Sequence, residues 1–143
     1  MHIRLFTEAD RPFLRTLFLA ARKASWHWLD SSGWRLEDFD RTTLGETILV
    51  AEEDGHRLGF AAVLKNDNFL HSLFVDPAVQ RRGVGSALLQ AVEQSFTSTG
   101  ALKCLSANRI ARQFYQQHGW SEVATGESEQ GEYVLMHYIA GQR

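Results

Sequence analysis

The chain has 143 residues, is 44% hydrophobic and 22% charged, and carries a net charge of −2. That length suits one domain spanning 1–143 with a real core, and the charge balance offers no basic field to draw in nucleic acid. No apolar run approaches the roughly 20 residues of a membrane span, and the opening Met-His-Ile-Arg-Leu-Phe lacks the layout of a signal peptide. The single cysteine, Cys104, permits no internal disulfide, so a cytoplasmic protein is expected.

Residues His2–Phe6 alternate like a short strand. Asp10 ahead of Pro12 marks a helix start, and Phe13, Leu14, Leu17, Phe18 and Ala21 recur at helical spacing to about Ala24. Residues 25–46 hold three of the four tryptophans, Trp26, Trp28 and Trp34, with His27 between the first two. Turn signals follow at Asp30-Ser31-Ser32-Gly33, then a short helix from about Leu36. Thr47–Glu53 reads as a strand joined by an Asp54-Gly55 hairpin turn to Arg57–Leu64. Lys65-Asn66-Asp67-Asn68 turns the chain into a third strand of this group, Phe69–Val75.

Beyond a glycine-spaced turn, Val84, Ala87, Leu88, Ala91 and Val92 form one apolar helical face, which Gly100 closes. Ala101–Leu105 reads as a short strand. Asn108 is placed to cap a helix over Arg109–His118 that Gly119 ends. Strands at Ser121–Thr125 and Tyr133–Ile139 flank a Gly126–Gly131 loop. The order is βααβββαβαββ, an α/β fold with an α+β type of mixed sheet whose early hairpins are antiparallel.

The segment Val75-Asp76-Pro77-Ala78-Val79-Gln80-Arg81-Arg82-Gly83-Val84-Gly85-Ser86 carries the chemistry. A strand ends, a basic glycine turn follows, and a helix begins at once. Backbone that approaches a bulky anion must be free of side chains, and a helix N-terminus offers unpaired N–H groups and a positive dipole end. Arg81 and Arg82 add charge. A P-loop would need a lysine before Ser86, where Gly85 stands, and a dinucleotide fingerprint would need a third small residue where Leu88 stands. Both nucleotide readings fail, and a phosphate or pyrophosphate cradle of another kind is left.

Downstream, Asn108-Arg109-Ile110-Ala111-Arg112-Gln113-Phe114-Tyr115-Gln116-Gln117-His118-Gly119-Trp120 resembles the Asn-x-x-Ala-x-x-Phe-Tyr-x-x-x-Gly-aromatic signature of the GNAT N-acetyltransferase superfamily. Gln80-Arg81-Arg82-Gly83-Val84-Gly85 is similar to that superfamily's Gln/Arg-x-x-Gly-x-Gly/Ala pyrophosphate loop. Together the matches cover about residues 69–120. The resemblance implies a GNAT-like sheet splayed between its fourth and fifth strands, with acetyl-CoA as donor. Backbone groups of Leu73, Phe74 and Val75 would pair with the pantetheine arm. Amides from Arg81 through Ser86, including Gly83, Val84 and Gly85, would hold the pyrophosphate, with Gln80 at the entry to the loop. Asn108 would bond the arm near its reacting end.

The implied chemistry requires loss of a proton from the amine, a donor for the thioester oxyanion, and a proton for the departing thiolate. Tyr115 matches the family position of the general acid, and a backbone N–H near Phe74 or Val75 would serve the oxyanion. The base is open between His71 on the key strand, His27, and ordered water with scattered carboxylates. In the family the segment between the first two helices borders the acceptor pocket, so Trp26, His27, Trp28 and Trp34 are candidate acceptor-side residues. Glu127, Glu129 and Glu132 read as a solvated loop, and Cys104 as inert packing. The six dispersed histidines show no metal-ligand spacing, so no metal is expected.

These readings converge on an N-acetyltransferase that moves acetyl from acetyl-CoA to a primary amine of a small molecule, with no membrane or nucleic-acid partner. Two rivals stand: acetylation of a protein or peptide N-terminus or lysine, and a CoA-binding module without transfer. Dimers through the C-terminal strands among relatives make a homodimer a further open expectation.

Overall fold

In the computed structural model, which describes residues 1–139, the elements run β1 (His2–Leu5), α1 (Arg11–Ser25), α2 (Asp38–Thr43), β2 (Thr47–Glu53), β3 (His56–Leu64) and β4 (Phe69–Val75), then α3 (Val84–Ser95), β5 (Gly100–Leu105), α4 (Arg109–Gln117), β6 (Ser121–Ser128) and β7 (Gly131–Tyr138). The strands make one seven-stranded sheet in the order β1-β2-β3-β4-β5-β7-β6. All neighbours are antiparallel except β4 and β5, which α3 joins as a parallel crossover. This is the mixed α/β sheet, in the expected element order.

Each face of the sheet has its own core. Leu14, Leu17, Phe18 and Ala21 form the buried stripe of α1 and pack with Phe39, Val50, Phe60 and Ala62. On the other face Leu88, Leu89 and Val92 of α3 pack with Ala61, Leu70, Leu102, Tyr115 and Trp120. Fully burying a side chain of this kind contributes about 1.5–3 kcal/mol. Alternation along β3 and β4 divides their residues between the two cores, which fixes the register.

Several boundaries differ from the sequence reading. The start of α1 agrees, with Asp10 at its N-cap position and Pro12 in its first turn, but the Asp10 side chain makes no capping bond to that helix. Its buried carboxylate accepts instead from Arg4 at 2.8 and 2.9 Å, the Thr7 N–H at 2.8 Å and Arg57 at 3.0 Å. The second helix begins at Asp38 because the Asp38 carboxylate accepts the Arg35 N–H at 2.8 Å and holds the preceding residues as a turn. α3 stops at Ser95, where Phe96 leaves the helix in an extended conformation. Gly100 therefore opens β5 rather than closing α3. The Phe96 ring lies over it, and a Cβ there would fall 2.2 Å from the ring. The expected Gly126–Gly131 loop is almost wholly strand: β6 and β7 pair out to Ser128↔Gly131, leaving Glu129 and Gln130 as the turn. Glu127 and Glu132 are thus paired strand residues and not part of a solvated loop.

Candidate active site

The sheet opens where the chemistry was expected. β4 and β5 pair only at Phe69↔Ala101 and Leu70↔Leu102; beyond those positions the two strands have no ladder. β4 stays paired with β3 as far as Val75, and β5 with β7 as far as Leu105. The backbone edge of β4 facing the gap over Leu73, Phe74 and Val75 is therefore left for a partner that is not β5, since strand groups seek hydrogen bonds. Gly59 of β3 allows the close packing behind this edge: a Cβ there would sit 2.7 Å from the Phe74 carbonyl oxygen.

The loop at the end of β4 is built from backbone geometry. Asp76 accepts the Ala78 N–H at 3.0 Å and starts a short turn. Arg81 and Gly83 then adopt left-handed φ values of 68° and 78°. Left-handed residues this close together turn successive N–H groups into a concavity that suits an anion. Gly83 occupies the N-cap of α3 without any side chain closing it, so the first-turn amides at the dipole's positive end remain available. The arginines are not both turned to that cradle. Arg81 is exposed, whereas the Arg82 guanidinium forms an ion pair with Glu53 at the end of β2.

α4 brings the second motif alongside. Asn108 caps it as predicted, its Oδ1 accepting the Ala111 N–H at 3.2 Å, which leaves the side-chain amide N–H donors for other partners. Tyr115 is buried between Phe114 and Trp120, with ring centroids at 5.3 and 6.0 Å. Burial, reinforced by the Cys104 thiolate form, holds its phenol well above the ordinary tyrosine value, so it stays protonated across the working range. Burial also pushes the Cys104 thiol up to about 11, which fits a packed, unreactive sulfur. The Ser86 hydroxyl lies 3.0 Å from His118 Nε2, and His118 Nδ1 is 2.8 Å from the Phe114 carbonyl. These bonds tie the first turn of α3 to the end of α4.

On the opposite face the aromatic segment divides. Trp26 meets Phe74 of β4 at 5.7 Å and Trp34 at 6.2 Å. Arg22, buried, lies over Trp34 at 4.8 Å and over Phe18 at 4.1 Å, and bonds Asp38 at 3.1 Å. His27 and Trp28 pack edge to face with each other at 5.4 Å and are exposed, so they stand apart from this cluster. The end of α1 at Ser25 explains the split, because the chain leaves helical spacing there.

His71 occupies a special position. The β3–β4 register passes from Ala62↔Ser72 to Val63↔Leu70, so His71 is the extra residue of a bulge, a device that re-aims a side chain. The bulge adjoins Leu70, the last β4 residue paired with β5. His71 Nδ1 lies 2.6 Å from Oε2 of Glu46, a residue whose lone position before β2 gave no local signal in the sequence. Among the described residues, no group of three or more His, Cys, Asp or Glu side chains is placed to hold a metal ion. No described helix is long and apolar enough to cross a membrane. A groove of about 540 Å³ between α3 and the β1–β2 edge, lined by residues such as Ile3, Leu49 and Gln94, involves none of these groups.

A family model described as Acetyltransferase (GNAT) family matches residues 10–120. The chain is 41% identical over 74 residues to the peptidyl-lysine N-acetyltransferase YiaC of Escherichia coli (strain K12), a match covering 52% of this chain and 49% of that protein. The chain spans about half the length of the curated relatives it matches. Among solved structures, apo-form YjaB from Escherichia coli superimposes with a TM-score of 0.80 at 20% identity, covering 98% of both chains. An aminoglycoside 6'-N-acetyltransferase complexed with coenzyme A gives a TM-score of 0.73 at 15% identity, covering 100% of this chain and 99% of that one.

Proposed function

The chain belongs to the GNAT acetyltransferase family, and on that premise we propose that it transfers acetyl from acetyl-CoA to the primary amine of a small molecule by direct attack. The observation that carries this reading is the gap beginning beyond Leu70↔Leu102, which exposes the β4 edge and leads to the open N-terminus of α3. The pantetheine arm would lie against the backbone of Leu73, Phe74 and Val75 as an added strand. The pyrophosphate would rest on the amides of Gly83 through Ser86, with Gln80 and Arg81 at its rim. Arg82 would need to leave Glu53 to join them. The Asn108 amide N–H donors would reach the arm near its reacting end.

Proton bookkeeping gives each side chain a task. The ammonium of the acceptor gives one proton to His71 Nε2, and the freed amine nitrogen attacks the thioester carbonyl carbon. A β4 backbone N–H near Phe74 or Val75 stabilises the developing oxyanion. The C–S bond then breaks, and the thiolate takes the Tyr115 phenolic proton; the second proton of the attacking nitrogen, lost as the amide forms, returns through solvent to Tyr115, and His71 releases the first to solvent. Positioned acid–base groups of this kind contribute about 10²–10⁴-fold each. Trp26 with Trp34 forms an apolar wall beside Phe74, which favours a small or partly apolar amine. The similarity to a peptidyl-lysine acetyltransferase favours, as a second reading, a lysine side chain as acceptor.

Thiol release from acetyl-CoA across a panel holding an aminoglycoside, a lysine peptide and an N-terminal alanine peptide distinguishes these readings. Turnover is expected with at least one amine, and Tyr115→Phe should lower it about 10²-fold or more with unchanged acetyl-CoA affinity. Binding of acetyl-CoA without release for any amine would instead identify a binding module.

A further inference from the structure

We propose that Glu46 is a positioning residue for the transfer reaction: its buried carboxylate holds His71 as the Nδ1–H tautomer and leaves Nε2 as the proton acceptor. The proposal rests on the reading of His71 as base. The two side chains come from separate elements. Glu46 precedes β2, its own N–H donating to the Thr43 carbonyl at the end of α2 at 3.0 Å, while His71 is the bulged residue of β4. Their contact reaches across β3, which lies between those strands. The exposures are unequal: the Glu46 side chain is 5% exposed and the His71 side chain 41%. One end of the imidazole is thus anchored inside the protein and the other is left to solvent or substrate.

Ionised or protonated on Oε1, the carboxylate accepts the Nδ1–H through Oε2. That bond selects the tautomer whose lone pair is on Nε2, since a neutral imidazole carries one proton. Without Glu46 the ring could place its proton on Nε2 and would lose the acceptor that faces outward. The other carboxylate oxygen, Oε1, is buried with no hydrogen-bond partner among the described residues. A surface pair formed for solubility would not leave an oxygen in that state, because burying an unsatisfied carboxylate oxygen costs stability. When Nε2 takes up the amine's proton, the imidazolium gains an adjacent carboxylate. Burial raises the Glu46 carboxyl and the nearby His71 lowers it again, so a charged imidazole favours the ionised carboxylate beside it.

The test uses the full chain, with the amine of the panel turned over fastest as the acceptor probe. Nitrogen-15 spectra of His71 should show Nδ1 protonated and Nε2 bare in the wild type; a dominant Nε2–H form would overturn the proposal without any variant. Glu46→Met should shift His71 toward the Nε2–H form and lower kcat on the order of 10- to 100-fold, the range seen when a partner orienting a histidine is removed. KM for acetyl-CoA should stay within about twofold. Glu46→Gln, whose amide oxygen still accepts the Nδ1–H, should keep the tautomer and recover part of the loss. Wild-type kcat and tautomer in Glu46→Met would overturn the positioning role, and if His71→Gln were then slow the base reading would survive alone. Full turnover in His71→Gln would end both.

Discussion

On the α3–α4 face, the groups placed to meet a ligand are backbone: the unpaired edge of β4, left-handed Arg81 and Gly83, and the first-turn amides of α3. On the α1–α2 face they are side chains, the Trp26–Trp34–Phe74 cluster and the Glu46–His71 pair, and that face is braced by ion pairs such as Arg22–Asp38 and the arginines around Asp10. Backbone recognition fixes one ligand and tolerates change in most side chains around it. Side-chain recognition can be retuned by a single substitution. In the proposed reaction the first face would take the donor, common to many enzymes, and the second the acceptor, which varies among them.

Two substitutions should separate the faces. The larger effect is expected from Asp10→Asn, which leaves Arg4 and Arg57 without their shared charge. Breaking a buried pair of this sort costs about 3–5 kcal/mol, measurable by urea unfolding at neutral pH. Arg4, with help from the Thr7 N–H and Arg57, holds the Asp10 carboxyl well below the usual carboxylate range. A depressed folded-state value stabilises the protein above the unfolded value of about 3.9, and that stability is lost as pH falls below it. The Asn variant should lack this part of the acid slope. Acetyl-CoA affinity of the folded variant should remain within about twofold of wild type, because Asp10 sits at the start of α1 and bonds Arg4, Thr7 and Arg57, none of them on β4 or at the α3 N-terminus; a larger change would mean that the two faces are not independent.

The smaller effect is the converse. A Cβ at Gly85 would meet Phe114 Cζ at 3.4 Å and Val75 Cγ2 at 3.7 Å, which is ordinary contact. Alanine is also the better helix former by up to about 1 kcal/mol. Gly85→Ala should therefore hold or raise the melting temperature while weakening acetyl-CoA binding on the order of tenfold, roughly 1.4 kcal/mol, by calorimetric titration. Unchanged affinity would show that close backbone approach at Gly85 is not needed.

The α3–α4 face was also the more legible one. Its motifs are contiguous, and each residue acts through local conformation: Asn108 caps, Gly83 turns, and Pro77 ends a strand. Thr47–Glu53 and Phe69–Val75 were read to the residue because β-branched and apolar runs ended at strong turn residues. Gly100 was misread because Phe96 ends α3 first, through a tertiary contact of its ring. The Gly126–Gly131 hairpin looked like a loop because β6 is an edge strand exposed along most of its length, without alternation to mark it. Glu46 could not be found at all, since its burial and its partner 25 residues away exist only once β2, β3 and β4 have paired. Trp26, His27, Trp28 and Trp34 were read as one group, but folding divides them: Trp26 meets Phe74 and Trp34, while His27 and Trp28 meet only each other among these rings.

We propose that acetyl-CoA binds through the backbone of the β4 edge and the α3 N-terminus. Amide spectra of the protein titrated with acetyl-CoA test it most directly. The largest shifts, with slowed hydrogen exchange, are expected at Leu73, Phe74, Val75 and Gly83 through Ser86, and the β1–β2 edge should stay silent. Shifts confined to the groove between α3 and the β1–β2 edge, or none along β4, would contradict it.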